Sequence, residues 1–371
     1  MNHSADPPAP AARGNVQLRL LDRTFGPNLL RVLGRVRRPR QLPQAPARIG
    51  VMKSTGIGDM ILASAVARDI AAAFPASEVV LIGGPDNVDL ARLVEGVSVL
   101  ALPTAQPWAA LPLLRSQRLD VLVDLGQWSR LEAIYAALSR ARWTAGFETE
   151  GQRRHLAYDV AVRHSSEVPE IENFRALVRT LGIEATRLPH FPVPGRVRPP
   201  APAPYVVFHL WPGGFRSELR EWPAERWRDL ARRLRGEGVS VVLTGGPGDV
   251  ARTERFIATG AEPAPGITSV AGRYRLSELV DVLAQASCVV SVNTGVMHLA
   301  AAVGTETIAL NGPTSGMRWG PIGPRVSCVD SDLPGCGYLN LGFEYDGQRT
   351  DCMHGISVER VAAAALAKLH G

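Results

Sequence analysis

From Arg48 onward the chain alternates short apolar runs with longer segments of helical spacing. Apolar runs at 49–52, 79–82, 97–102 and 121–125 read as strands, and segments such as 59–74 and 128–140 read as the helices between them. Such alternation predicts βαβ units around a parallel sheet. The pattern stops at 189–204, "PHFPVPGRVRPPAPAP", where seven prolines predict a stiff extended linker and hinge. It restarts with "YVVFHLW", a helix over about 223–235, "VSVVLTGG", a helix over about 249–258, "CVVSVN", a helix over 295–303 and "TIALNGP", and a helix over 357–369 closes the chain. The expected fold is therefore α/β, with two doubly wound Rossmann-like units at 48–188 and 205–371. Such sheets bind ligands at the carboxyl ends of their strands, here in the cleft between the units.

Residues 1–47 form a separate leader. Its first 12 residues are Pro/Ala-rich and expected to be disordered. Within 15–41, Leu18, Leu21, Phe25, Leu29, Val32 and Leu33 recur near helical spacing among Arg19, Arg23, Arg31, Arg35, Arg37 and Arg38, with Gly26 and Pro27 interrupting the pattern. A basic amphipathic segment can lie on an anionic membrane, each nearby cation contributing on the order of 1 kcal/mol, or pack on the body with its arginines solvated. Peripheral membrane contact through 13–40 is one expectation.

Composition narrows the class. Of 371 residues, 46% are hydrophobic and 20% charged, which suits a packed globular protein. The net charge of +6 belongs to residues 1–50, where nine arginines face only Asp6 and Asp22, so the remainder is near neutral and nucleic-acid binding is not expected. The chain has neither an 18-residue apolar run nor a cleavable signal, and its four cysteines lack CxxC spacing, which reads as a reduced, cytoplasmic protein with buried thiols. Cys328, Cys336, Cys352 and His354 can be arranged as a zinc or iron site, but their spacing is not that of a compact finger. No resident metal or cofactor is expected. Only Lys53 and Lys368 are lysine, which singles out Lys53 beside the first motif.

Two stretches carry candidate chemistry. In "VMKSTGIGDM" (51–60), a strand leads into a helix, so amides near Gly56, Gly58 and Asp59 can face an anion or a substrate hydroxyl. Ile61 stands where a dinucleotide fingerprint needs glycine, and Gly83 and Gly84 stand where it needs an acid; the lysine and hydroxyl of a P-loop are missing as well. Asp59 can take a proton from an attacking hydroxyl, or serve as a helix cap. In "SVNTGVMHLAAAVG" (291–304), Asn293, Thr294 and Gly295 open a small-residue helix that carries His298. That start can hold a diphosphate, although capping by Thr294 and packing by His298 explain the same residues. Arg216 and Arg220, ahead of the helix started by Pro223, can clamp phosphate oxygens or pair with Glu218 or Glu221. Gly245, Gly246 and Asp249, ending another strand, can meet a ribose, or Asp249 can cap the following helix.

Together the "GIGD", "REWPAERW", "TGG", "NTGVMHLAAAVGTETIALNGPT" and "CMHGISVERV" blocks resemble the ADP-heptose:lipopolysaccharide heptosyltransferase family, glycosyltransferase family 9. The resemblance covers about residues 49–369, in order, and leaves out the leader. It implies a GT-B fold, an acceptor bound by the first domain and a nucleotide sugar, ADP-heptose first among candidates, bound by the second. It further implies inverting, metal-independent transfer to a hydroxyl of a glycan or lipid-linked glycan at the cytoplasmic face of the inner membrane. The family's proposed base falls on Asp59, and its cationic residue two before "WP", usually lysine, falls on Arg220. The helix-start block falls on Asn293, Thr294, Gly295 and His298, with asparagine replacing the family's aspartate. Lys53 is then expected to hold an anionic group of the acceptor. Two other readings are a nucleotide-sugar epimerase of the same shape and a sugar-nucleotide binding protein without catalysis.

Overall fold

The structure, a computed structural model, describes residues 16–214, 217–259, 266–339 and 349–370; the side chains of 16–19, 21 and 370 are outside the description. Arg216 and the first 12 residues, both singled out above, therefore lie outside the described residues. Two six-stranded parallel sheets form two lobes.

The first sheet comprises β1 (Arg48–Lys53), β2 (Glu78–Gly83), β3 (Ser98–Ala101), β4 (Val121–Asp124), β5 (Trp143–Glu148) and β6 (Val160–Arg163), in the order β3-β2-β1-β4-β5-β6. Its helices are α1 (Val16–Val36), α2 (Ile57–Ala73), α3 (Val88–Ala91), α4 (Pro107–Ser116), α5 (Arg130–Leu138) and α6 (Glu170–Val178). The second sheet comprises β7 (Tyr205–His209), β8 (Ser240–Thr244), β9 (Ile267–Ser269), β10 (Cys288–Val292), β11 (Thr307–Asn311) and β12 (Val326–Asp330), in the order β12-β11-β10-β7-β8-β9. Its helices are α7 (Ala224–Gly236), α8 (Val250–Ala258), α9 (Leu276–Ala284), α10 (Gly295–Ala302), α11 (Gly316–Trp319) and α12 (Val358–His370). Both orders reverse beside their first strand, β1 in one lobe and β7 in the other, and crevices open at such switch points.

Helix α2 is apolar nearly all round because both its faces are covered. One buried cluster runs without a break from Ile61, Ala65 and Val66 of α2 to Val296, Leu299 and Ala300 of α10, so the lobes share a core. The segment between them is anchored at both ends. The Arg187 amide donates to Asp69 Oδ2 of α2 at 3.1 Å, whereas the amides of Gly195, Arg196 and Val197 converge on the Asp281 carboxylate of α9 at 2.7–2.9 Å. Phe191 is fully buried and its amide reaches Ala302 O.

The leader's helix differs from its expected interruption: α1 runs through Gly26 and Pro27 without a break. Gly26 lies against the Arg130 side chain, which a Cβ there would meet at 2.8 Å. The helix is docked by buried Leu30 and by Asp22, which pairs with Arg130 at 3.2 Å. Its outer face leaves Phe25, Leu29, Val32 and Val36 exposed in one stripe, beside exposed Arg31 and Arg35. No described helix is long and apolar enough to cross a membrane.

The cysteines also depart from the expected reduced state. Cys336 and Cys352, 16 residues apart, form a disulfide with a Cα separation of 5.7 Å. Their sulfurs are thus bonded to each other and are not available as zinc or iron ligands. Cys288 is a buried thiol and Cys328 is exposed. Spacing alone concealed this because chain folding, not sequence proximity, brings the pair together.

Candidate functional site

The first wall is the loop between β1 and α2. Gly56 occupies the N-cap at φ 82°, a left-handed conformation natural to glycine, and has no side chain to cap the helix. The first amides of α2 therefore lack both intrahelical and capping partners. Asn87, buried at the start of α3, holds this loop: its Nδ2 donates to Lys53 O at 3.1 Å and Gly56 O at 3.2 Å, and its Oδ1 accepts from Gly84 N at 2.9 Å. Below it, the Ser54 hydroxyl donates to Glu132 and a buried Asp124–Arg154 pair closes at 2.7 Å.

Asp59 sits in the first turn of α2, where the helix dipole favours a carboxylate by about 0.3–1 kcal/mol. It makes no capping bond. Its Oδ2 pairs with Lys53 Nζ at 3.0 Å, and among the described residues Oδ1 has no partner. The side chain is 25% exposed, so the carboxylate stands at the surface of the cleft with one oxygen held and one free.

Lys53 is more committed than an acceptor-binding cation would be. Its ammonium is 2% exposed and also donates to Gln127 Oε1 at 2.8 Å. Burial disfavours its charge, but Asp59, Glu132 and Glu170 outweigh that and hold its pKa above the ordinary lysine value. The Lys53 ammonium thus points inward and is held by Asp59 Oδ2 and Gln127 Oε1.

The second wall is the start of α10. Thr294 is the N-cap with extended backbone, yet its hydroxyl makes no capping bond and lies 3.3 Å from Ser291 Oγ. The amides at Gly295 and beyond are consequently left for another acceptor. Arg220 reaches the same point, donating from Nη1 to Asn293 O at 3.2 Å and from Nη2 to Gly213 O. The Asn293 side chain turns away from the helix start. Its Nδ2 donates to Asn311 Oδ1 and Trp319 O, both at 3.0 Å, a donor role that an aspartate could not fill.

These two helix starts touch. A Cβ at Gly295 would stand 2.5 Å from Ile57 Cγ2, and one at Gly58 would stand 2.7 Å from His298 Cδ2. His298 is buried beside Asp59, and its Nδ1 has no partner among the described residues. Burial lowers its pKa to about 4, against the opposing pull of Asp59, so the imidazole is neutral at pH 7.

Asp249 lies apart from this contact. It is buried, accepts from Gly246 N at 2.7 Å and pairs with Arg252 at 2.7 Å. Gly245 and Gly246 close that loop at the end of β8, and a Cβ at Gly245 would stand 2.8 Å from Asp249 Cβ. A pocket of about 260 Å³ at the ends of β11 and β12 is lined by Asn311, Gly312, Thr314, Asp330 and Cys336.

Sequence reasoning missed the residues behind Lys53. Gln127 Nε2 donates to Glu170 Oε1 at 2.7 Å, and Glu170 also meets His164 Nε2 at 3.0 Å and Arg318 of the second lobe. Burial raises the Glu170 pKa, but His164, Arg318 and Gln127 overcome it and hold the carboxyl at about 2. Gln127 follows a strand end, a recognisable position; Glu170 and Arg318 carry no local signal.

Residues 113–336, more than half of the chain, match the family model for glycosyltransferase family 9 (heptosyltransferase). The chain is 37% identical over 132 residues to lipopolysaccharide heptosyltransferase 1 of Pseudomonas aeruginosa, covering 36% of this chain and 35% of that protein. It is 33% identical over 124 residues to lipooligosaccharide heptosyltransferase 2 of Haemophilus influenzae, covering 33% and 36%. These alignments span about a third of the curated relatives' length. In fold it resembles the solved E. coli ADP-heptose lps heptosyltransferase II, with a TM-score of 0.71 at 22% identity over 87% of this chain and 98% of that one. Two facing parallel-sheet lobes of this kind are the GT-B arrangement, and the chain belongs to glycosyltransferase family 9.

Proposed function

We propose that the protein transfers a heptose or related sugar from a nucleoside-diphosphate sugar, ADP-heptose first among candidates, to a hydroxyl of a glycan or lipid-linked glycan. The observation that carries this reading is the meeting of the two helix starts, Ile57 against Gly295 and Gly58 against His298, in the same turn as the partly exposed Asp59 carboxylate. Asp59 Oδ1 accepts the proton of the acceptor hydroxyl while its oxygen attacks the anomeric carbon from the face opposite the diphosphate. The bond from that carbon to the diphosphate oxygen breaks, with inversion. The departing charge is received by the α10 amides, the Thr294 hydroxyl and Arg220. Neutral His298 contributes a hydrogen bond rather than a positive charge. Because these groups supply the electrophilic stabilisation, the transfer is proposed to run without a divalent ion.

The Gly245–Gly246 loop, ending the strand beside β7, is the proposed edge of the nucleoside site, and Gly56 and Gly58 border the acceptor side. The outer stripe of α1, with its flanking arginines, suits an anionic membrane carrying a lipid-linked acceptor at the cytoplasmic face. Pro189 and His190, between the two anchored ends of the connecting segment, are the proposed hinge between the domains 48–188 and 205–371.

The test is to incubate ADP-heptose with and without candidate lipid-linked glycans and follow ADP release, with EDTA present in parallel. Acceptor-dependent release that survives EDTA is expected. Isomerisation of the donor without acceptor would instead identify an epimerase, and no diphosphate release with any pair would identify a binding protein.

A further inference from the structure

We infer that Gln127, Glu170 and Arg318 form a buried positioning relay through which the second lobe fixes Lys53, and hence Asp59, at the cleft. This rests on the transferase reading above for its effect on turnover, though not for its geometry.

The relay is continuous. Arg318 projects from α11 of the second lobe onto Glu170 Oε2 at the start of α6 in the first, with side chains 0% and 1% exposed. Glu170 Oε1 accepts from Gln127 Nε2 at 2.7 Å, Gln127 Oε1 accepts from Lys53 Nζ at 2.8 Å, and Lys53 meets Asp59 Oδ2 at 3.0 Å. The amide of Gln127 is the only neutral link, and its polarity is dictated at both ends: a carboxylate on one side requires its NH₂, and an ammonium on the other requires its oxygen. Thr149 pins this residue's backbone, its hydroxyl donating to Gln127 O at 2.6 Å. Among the described residues Arg318 has no other anionic partner, and its Nε and Nη1 are buried without hydrogen bonds. A buried guanidinium held this sparingly contributes little net stability as an ion pair; its attested kind of use is to specify a geometry, here the register of one lobe against the other. His164 and Asn173 hold Glu170 from the first lobe, at 3.0 and 3.2 Å, so the carboxylate stays in place while Arg318 is the arm that crosses between lobes.

The chain's lysine content makes the relay measurable without any substrate. Lys53 and Lys368 are its only lysines. Pulsed acetylation with acetic anhydride, read by mass spectrometry, gives Lys53 reactivity against Lys368 as an internal reference. The variants are Gln127→Leu, which cuts the relay while leaving the interlobe pair, and Glu170→Gln and Arg318→Met, which remove each charge. If one variant fails to fold, the others still decide.

In the wild type Lys53 should be strongly protected. In Gln127→Leu and Glu170→Gln its labelling should rise about tenfold, the scale of a lost hydrogen bond to a charged group, as the ammonium loses an acceptor or a neighbouring carboxylate. In Arg318→Met any rise reports loosening of the interlobe contact, since a nearby cation rather than an anion is removed. In the transfer assay kcat should fall by about 100-fold, the scale of a roughly 1 Å misplacement, with ADP affinity within about threefold of wild type because the diphosphate cradle is untouched. Unchanged Lys53 labelling in all folded variants overturns the relay, as does full turnover in Gln127→Leu. Raised labelling with a wild type that turns over no donor leaves the relay standing and refutes the transferase reading instead.

Discussion

The imidazole of His298 lies against Gly58, next to Asp59 in sequence, so the helix start of one lobe touches that of the other beside the candidate base. A cationic histidine there would pair with Asp59 and compete with Lys53. Burial prevents this by keeping His298 neutral.

That neutrality gives a pH signature. His298 takes up its proton near 6.5 when unfolded and near 4 when folded, so between these values the unfolded chain binds the extra proton. The contribution is present in full above pH 6.5 and is lost as the pH falls toward 4. Urea unfolding of wild type and His298→Gln at pH 7, 6 and 5 should show a pH slope shallower in the variant by up to about 1.4 kcal/mol per pH unit. Equal slopes would mean that His298 is not buried as a neutral group.

The fit between the lobes is tight enough to be wedged. Gly295→Ala places a methyl 2.5 Å from Ile57 Cγ2 and 3.1 Å from Gly58 N, so the lobes must part. We expect a loss of about 1–3 kcal/mol of stability from overpacking and reduced transfer. Adding Ile57→Ala should restore part of both, and the test is thermal unfolding with kcat for all three variants. A Gly295→Ala protein indistinguishable from wild type would contradict the contact.

How much of this was legible beforehand depended on whether a residue's role was local. The strands of both lobes that hold the site, and the helices opening at Ile57 and Gly295, followed from apolar runs and glycine-rich strand ends, because those signals lie within a few residues. The strands at 160–163, 267–269 and 326–330 went unmarked, lying at sheet edges with mixed polarity, and 143–148, although central and six residues long, breaks its apolar run with Thr144 and Gly146. Asp59 and Arg220 stood out by position. The inward turn of Lys53 did not, since it depends on Gln127 and Glu170, 74 and 117 residues away. Asn293 illustrates the same limit: its amide serves Trp319 O, a partner that only the folded β10–β11 loops bring near.

Arg220 gives a binding prediction. Its guanidinium braces Asn293 O beside the open amides of α10. Arg220→Ala should weaken ADP binding by about 1.5–3 kcal/mol, the range for hydrogen bonds to a charged group, measurable by calorimetry. Unaltered affinity would remove Arg220 from the diphosphate cradle.

The leader makes a prediction about lipid. Phe25 is 66% exposed and Val36 73%, in line with Leu29 and Val32 on the outer face of α1. Sedimentation with anionic vesicles should be strong for wild type, weak for Phe25→Asp/Val32→Asp, and weakened by salt. The substituted face is solvent-exposed, so the fold should be unaffected. Equal sedimentation of both proteins would show that the stripe does not meet the membrane.

The most direct measurement is a paired one on Asp59→Ala: the rate of ADP release from ADP-heptose in the presence of acceptor, and the affinity for ADP. The account predicts a turnover loss of about 10²–10⁴-fold with ADP affinity nearly unchanged, because the carboxylate acts on the acceptor's proton and the diphosphate is held by the other lobe. Near-native turnover in that variant would contradict it.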